Sequence, residues 1–317
     1  RNRERPATLE FKVDGKTPQI QPKTYTCEFS LERDAWLGQP GRPINPGIVL
    51  YAMADGSFAV WDPARNAWTQ EEGKDSPERI KPYVFNNSEL WQGLRNPDSS
   101  LGMLCNGLLQ DWGNWQRDKG DTFSQLKKVL KALSSSANEE DSLEPGPLMS
   151  IRVGDTFEYP SILMPDNSAV PIVHASSGVK RILSIAYLLV WSWQEHVRAS
   201  RLLVKAPARQ MIFLIDEVES HLHPKWQRSI VRALMKVVDD LSPNTSVQLL
   251  LTTHSPLVMG SVEPLFDDGK DSWWDLDLDK ETKLPQLSKR QFIRLGDANS
   301  WLTSEAFDQR ATGSIEA

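Results

Sequence analysis

The sequence predicts an α/β fold built around a parallel sheet, and three observations carry that prediction. Met211–Ile215 is a continuous apolar run of the kind expected for a parallel strand buried on both faces, and Val247-Gln-Leu-Leu-Leu251 reads as the next buried strand. Between them lies a helical pattern that opens at Pro224, where proline suits a first helical turn. A strongly apolar helix, from Arg181 to about Val197, precedes the first run. Strand, helix and strand in this order imply a right-handed crossover and parallel pairing.

Composition sets the bounds. The chain has 317 residues, 39% hydrophobic and 25% charged, enough for one large or two ordinary domains with a real core. Its formal charge of −6 offers no global basic field for nucleic acid. Net charge says nothing about distribution, so nucleic-acid contact through a local basic patch stays open. Cys27 and Cys105 lack metal-ligand spacing, which fits a reducing cytoplasm. The longest apolar run, Ile182–Trp193, lies between Arg181 and Glu195 and is too short to span a bilayer. The chain starts at Arg1 rather than Met and stops at Ala317, which reads as a fragment or a trimmed product.

The first part of the chain is strand-rich. Thr8–Asp14 alternates and ends at Gly15, and Thr24–Leu31 repeats the pattern. Gly47–Met53 and Ser57–Trp61 flank Ala54-Asp55-Gly56, a hairpin turn signal. Thr69 to Lys81 is polar and reads as a loop. In the middle, Phe123, Leu126, Val129, Leu130 and Leu133 recur at helical spacing, and Ser134–Pro147 has a linker's composition. Trp112 and Trp115 fit a helix core better than a partner surface. In the last part, the helix from Pro224 is expected to bury Trp226, Ile230, Leu234, Val237, Val238 and Leu241, with Ser242-Pro-Asn ending it.

Three groups of residues suggest chemistry. Asp216 and Glu217 follow the first buried run, at the carboxyl end of a strand, where open parallel sheets bind ligands. Strand alternation would send the two carboxylates to different sides. One could join a Mg²⁺ shell and the other orient and deprotonate an attacking water. A solvated strand end is the bland alternative. The second run ends in Thr252-Thr253-His254-Ser255-Pro256. If the strands are neighbours, His254 lies beside the two acids and can donate to a γ-phosphate or hold the water. The third group is Ala175-Ser176-Ser177-Gly178-Val179-Lys180-Arg181, small residues followed by two cations before a helix, which suits an anion. Ser176 or Ser177 could equally be an ordinary helix cap.

In this order the three groups resemble the ABC ATPase superfamily, and within it the RecF, SMC and OLD-like branch that includes anti-phage defence ATPases. Ser176 to Arg181 is similar to the signature motif, with Lys180 and Arg181 replacing its usual acidic-Gln or Gln-Arg ending. Met211–Glu217 resembles Walker B with its catalytic glutamate, Glu219-Ser-His221-Leu-His223-Pro224 the D-loop region, and Thr253–Pro256 the switch-histidine segment. The likeness spans His174 to Ser261 and continues more loosely into Gly296–Leu302. It implies a P-loop NTPase fold in three parts: a β-rich lobe at 1–95, a helical lobe ending in the signature at 96–200, and a RecA-like core half at 201–317. It further implies catalytic Glu217 and His254, Asp216 on Mg²⁺, and Ser176, Ser177, Gly178 and Lys180 on the nucleotide. ATP would lie between two protomers joined head to tail, controlling an effector protein. No G-x-x-x-x-G-K-[ST] loop occurs, and the resemblance places it before Arg1.

Three other readings stay open beside a DNA-repair ATPase acting on DNA. Asp275, Asp277 and Asp279 could mark an OLD-type nuclease, although alternating acids are also the mark of one wet strand face. A scaffold could use ATP closure without turnover, against which both Glu217 and His254 argue. A histidine metal site could draw on His174, His196, His221, His223 and His254, although His221-x-His223 before a proline suits loop structure better.

Overall fold

A computed structural model describes residues 7–13, 23–32, 35–37, 45–66, 70–71, 74–75, 82–96, 102–134, 142–241, 245–279 and 281–307. The chain divides into two compact units, residues 1–45 with 68–80 and residues 46–67 with 81–317. In the first unit, β1 (Thr8–Val13) and β2 (Lys23–Ser30) pair antiparallel, and β3 (Ala35–Leu37) extends the sheet beyond β2. The alternation seen at Thr8 and Thr24 falls on these strands. β4 (Ile48–Ala52) and β5 (Phe58–Trp61) belong to the second unit. β6 (Gln70–Glu71) and β7 (Lys74–Asp75) form a small antiparallel pair in the first, inside the segment expected to be loop. Thr69, 72–73 and 76–81 of that segment lie outside the described residues.

The second unit continues through β8 (Tyr83–Phe85), α1 (Asn87–Gln92), β9 (Leu94–Arg95), β10 (Met103–Cys105), α2 (Leu108–Asp118) and α3 (Asp121–Ser134). Residues 135–141 of the expected linker lie outside the described residues. β11 (Glu144–Pro145), β12 (Ser161–Leu163) and β13 (Ala169–Pro171) make a small antiparallel sheet that leads to α4 (Ser177–Leu202). Then come β14 (Gln210–Ile215), α5 (Pro224–Gln227), α6 (Ile230–Leu241), β15 (Ser246–Leu251), α7 (Pro256–Val262), β16 (Trp273–Leu278), β17 (Pro285–Arg290) and α8 (Ala298–Leu302).

The main sheet has the order β15-β14-β4-β5-β8. β14 runs parallel to both β15 and β4, and β4, β5 and β8 are antiparallel in turn. The hairpin at Asp55-Gly56 forms as expected, with Gly56 at φ 86° and Asp55 Oδ1 accepting the Ser57 N–H at 2.8 Å. The strands it joins lie in the main sheet, β4 beside β14 and β5 beside β4, so Ile48–Trp61 is part of that sheet. Gly47 makes this possible: at φ 85° it lies so close to the Gln210 carbonyl that a Cβ would overlap it.

Two expectations about burial change. Met211, Phe213 and Ile215 are buried, but Ile212 and Leu214 on the other face of β14 are only half-buried. β15 is not a buried strand: Val247, Leu249 and Leu251 are half-buried and Leu250 is exposed, because β15 is at the end of the described sheet. The single helix expected from Pro224 is two, α5 and α6, separated by Arg228 and Ser229. Trp226 is half-buried, and Ile230, Leu234 and Val237 are buried. The side chains of Val238 and Leu241, and residues 242–244, lie outside the described residues.

α3 packs against both α4 and α6, with Leu126, Val129, Leu130 and Leu133 buried as the spacing predicts. Trp112 is buried, and Trp115 stacks at a tilt on Tyr187 with 5.7 Å between ring centres, so this aromatic pair is core. The Tyr187 hydroxyl donates to Asp111 Oδ2 at 2.8 Å, deep enough that burial pushes the Asp111 carboxyl upward. Farther along α4, buried His196 accepts the Ala208 N–H on Nε2 at 2.8 Å and meets Asp62 through Nδ1 at 2.7 Å. These bonds fix a neutral ring with its proton on Nδ1, and they tie α4 to the end of β5 and the entry to β14. Beyond α7, a smaller core gathers Met259, Phe292 and Trp301. Buried Glu263 secures the tail there, accepting from Trp301 Nε1 at 2.6 Å and the Leu295 N–H at 2.7 Å. Among the described residues no helix is long and apolar enough to cross a membrane.

Phe213, fully buried in the middle of β14, tests this core. Phe213→Ala should cost about 3–5 kcal/mol in urea unfolding. A loss below about 1 kcal/mol would mean that β14 is not packed as described.

Candidate functional site

β14 and β15 are neighbours in register, with Ile215 level with Leu251, so the segments that leave them start side by side. The ladder runs on past the strands. Thr252 N–H donates to the Ile215 carbonyl at 3.0 Å, and Val218 N–H to the Thr252 carbonyl at 3.1 Å. Asp216 N–H donates to the Ala52 carbonyl at 2.8 Å, which fixes the same segment to β4. The Thr252 hydroxyl links the Asp216 carboxylate to the Glu217 backbone: it donates to Asp216 Oδ1 at 2.6 Å and accepts the Glu217 N–H at 2.8 Å.

Glu217 has φ 44°, in the left-handed region that non-glycine residues rarely adopt. Strand alternation therefore does not separate the two carboxylates as expected. The strand stops at Ile215, and the left-handed turn at Glu217 sets its direction instead. His254 is exposed and follows β15 by three residues. Its backbone N–H donates to Glu219 Oε1 at 2.6 Å, and the Thr253 hydroxyl donates to Glu219 Oε2 at 2.6 Å. Ser255 then caps α7 and donates to Gln227 Oε1 at 2.7 Å. The loop after β14 and the loop after β15 are thus joined at successive points from Asp216 to Gln227.

α4 begins at Ser177, four residues before the expected start, because Ser176 caps it by accepting the Val179 N–H at 3.4 Å. Ser177, Gly178 and Lys180 consequently lie in the first helical turn, at the positive end of the helix dipole. A Cβ on Gly178 would come within 2.7 Å of the His221 carbonyl oxygen and 3.4 Å of the Trp226 ring. Glycine is what lets the start of α4 touch the loop after β14. His221 itself is exposed at φ 65°, and His223 caps α5 by accepting the Lys225 N–H at 3.3 Å.

Lys180 and Arg181 part company. The Lys180 ammonium lies 6.0 Å from the centre of the Trp91 ring. Arg181 does not add charge at the helix entrance: it is only 5% exposed, and its guanidinium lies 5.7 Å from the centre of Phe58. None of its three nitrogens has a hydrogen-bond partner. Burial pulls its pKa down, against the pull of Asp55 and Asp216.

Among the described residues no group of three or more His, Cys, Asp or Glu side chains converges on a metal position. Mg²⁺ does not need such a cage, since it keeps several waters and takes one or two carboxylates together with substrate phosphates. Asp216, a hard-oxygen ligand held by one hydroxyl at a strand end, fits that use. Asp275, Asp277 and Asp279 each have protein partners: Asp275 meets Arg290 at 3.2 Å, Asp277 accepts the Leu278 N–H at 2.6 Å, and Asp279 accepts the Thr282 N–H at 2.6 Å. On their hairpin the apolar face is wet too, with Leu276 71% and Leu278 56% exposed, contrary to the single wet face expected from alternation.

With this geometry in view, residues 38–260 match the family described as "AAA domain, putative AbiEii toxin, Type IV TA system". The chain belongs to that family. The AAA domain also shares 26% identity over 170 residues with the "Retron Vc95 probable ATPase" of Vibrio cholerae serotype O1 biovar El Tor, which is 51% of this chain and 29% of that protein. It shares 28% over 102 residues with the "Septu protein PtuA" of Bacillus thuringiensis, 32% of this chain and 24% of that one. The chain thus spans less than a third of the length of either relative. Among solved structures, an SmcHead bound to the C-winged helix domain of ScpA aligns at 10% identity and a TM-score of 0.42, over 90% of this chain and 74% of that one. At the level of the family, the resemblance drawn from the motifs holds.

Three residues carry contacts that the motifs alone do not assign: Thr252, which joins the Asp216 carboxylate to the Glu217 amide, Glu219, which holds the His254 segment, and Gln227, which receives Ser255. Two threonines at the end of a strand next to an acidic strand end were the available signal. Gly178 provides the test of the assembled loops. Gly178→Ala should destabilise the protein by about 1–3 kcal/mol through overpacking against the His221 carbonyl. If thermal unfolding were unchanged, the start of α4 and that turn would not be in contact.

Proposed function

We propose that this AAA domain is the ATP-hydrolysing part of an ABC-type ATPase, converting ATP to ADP and phosphate at an interface between two protomers joined head to tail. The observation that carries this reading is the pairing of the loops after β14 and β15, in which Asp216, Glu217 and the backbone of His254 are tied into one hydrogen-bonded assembly. Asp216 serves Mg²⁺, Glu217 orients and deprotonates the attacking water, and His254 addresses the γ-phosphate. A Mg²⁺ ion bound there would neutralise charge developing on the phosphates. Ser176, Ser177, Gly178 and Lys180, in or beside the first turn of α4, offer N–H groups and a cation to the nucleotide of the other protomer. Closure of the dimer on ATP, and reopening after hydrolysis, would control a separate effector in anti-phage defence in the cytoplasm. The retron and Septu names of the relatives support that setting.

Glu217→Gln in the full-length protein should slow hydrolysis on the order of a hundredfold and accumulate an ATP-bound closed dimer. Turnover equal to wild type removes Glu217 from the reaction. Ser177→Arg should leave ATP binding intact and abolish ATP-driven dimers in mass measurements. Dimers formed as readily as in wild type would mean that α4 does not face the nucleotide of the other protomer.

A further inference from the structure

Glu219 has no part in the roles assigned above, yet both oxygens of its carboxylate are committed to the segment that carries His254. Oε1 takes the His254 N–H and Oε2 the Thr253 hydroxyl, each at 2.6 Å, across more than thirty residues of sequence. Hydrogen bonds to a carboxylate are about twice as strong as neutral ones. Glu219 and Thr253 are half-buried, which limits competition from water. The Thr253 oxygen also accepts the Ser255 N–H at 3.0 Å, so its proton is directed toward Glu219.

The same glutamate belongs to the turn that meets α4. Its carbonyl accepts the Leu222 N–H at 2.8 Å, and His221, within that turn, presents the carbonyl against which Gly178 is packed. One line of contacts therefore runs from Gly178 through the 219–222 turn and the Glu219 carboxylate to the backbone of His254.

We propose that Glu219 is a positioning residue that clamps the His254 backbone and makes its placement depend on how Gly178 packs against the 219–222 turn. The site proposed to act on one nucleotide would thereby sense the engagement of the α4 start with the other. This inference rests on the reading of His254 as a hydrolysis residue. A carboxylate is suited to the task because it accepts at both oxygens, whereas glutamine offers one acceptor and would require the Thr253 hydroxyl to turn around.

The test uses Glu219→Ala, Thr253→Val, His254→Ala, Gly178→Ala and the Glu219→Ala/His254→Ala pair in the full-length protein. It reads ATP turnover and hydrogen exchange of the His254 amide. Glu219→Ala should lower kcat about tenfold or more with KM for ATP little changed, since it misplaces a group without removing substrate contacts. The pair should be no slower than His254→Ala alone, because two residues acting as one unit are not additive. The His254 amide should exchange about tenfold or more faster in Glu219→Ala, and faster also in Gly178→Ala, while β14 stays protected. Losses that multiply in the pair, or His254 exchange unchanged by Glu219→Ala, overturn the clamp. Exchange that responds to Glu219→Ala but not to Gly178→Ala overturns the dependence on α4. If His254→Ala turns over ATP like wild type, the functional reading of His254 is what fails, and the exchange arms still judge the clamp. Should Glu219→Ala not fold, Thr253→Val removes one of the two bonds to Glu219, together with the acceptor of the Ser255 N–H, and must speed His254 exchange, or the proposal falls.

Discussion

The in-register parallel pairing of β14 with β15 governs the rest of the site. With Ile215 level with Leu251, the first residue beyond each strand, Asp216 and Thr252, meet through side chains. Strand side chains alternate with a period of two, so a slip of one residue would turn the Thr252 hydroxyl away from Asp216. The register also decides which backbone groups remain to be satisfied past the ladder. Glu217 N–H would have no strand partner, and the Thr252 oxygen takes it. Apolar burial of Met211, Phe213 and Ile215 fixes the register from within the core, and the polar seam is built on what that register leaves over.

The seam also offsets a cost. A left-handed backbone at a non-glycine residue is unfavourable by about 1–2 kcal/mol. Around Glu217, three bonds hold the chain in that shape: Glu217 N–H to Thr252, Val218 N–H to the Thr252 carbonyl, and Ser220 N–H to the Glu217 carbonyl. At about 1 kcal/mol net apiece, they are of the size needed to keep it there.

How much of this was legible follows from range. The hairpin at Asp55-Gly56, the α3 stripe from Leu126 to Leu133 and the strand at Met211 are local patterns, and each appears where its period or turn signal puts it. The motif order from Ser176 to Pro256 was enough to identify the family. What escaped was set by contacts distant in sequence. Ile48–Trp61 joins the main sheet because β4 lies beside β14, and alternation within a strand does not name its neighbour. β15 carries an apolar run but lies at the end of the described sheet, so composition overstated its burial. Arg181 reads as one of two cations at a helix start, yet the helix begins earlier and its turn carries that side chain inward over Phe58. Thr252, Glu219 and Gln227 are ordinary polar residues until two loops are brought together.

Arg181 shows why the start of α4 and the strand ends should not be treated as separate sites. Its guanidinium is buried without a hydrogen-bond partner, and Phe58 beneath it lies level with Ala52, whose carbonyl receives the Asp216 N–H. Burial pulls the Arg181 pKa down, and the Asp55 and Asp216 carboxylates oppose that pull. Arg181 contributes to lowering the Asp55 carboxyl, while a Cβ on Gly178 would lie 2.7 Å from the His221 carbonyl oxygen. One turn of α4 therefore carries Arg181, on which Asp55 and Asp216 act, and Gly178, which packs against the loop after β14. Any displacement of that turn alters both at once, which is a stronger constraint on how the loops can move than either contact alone.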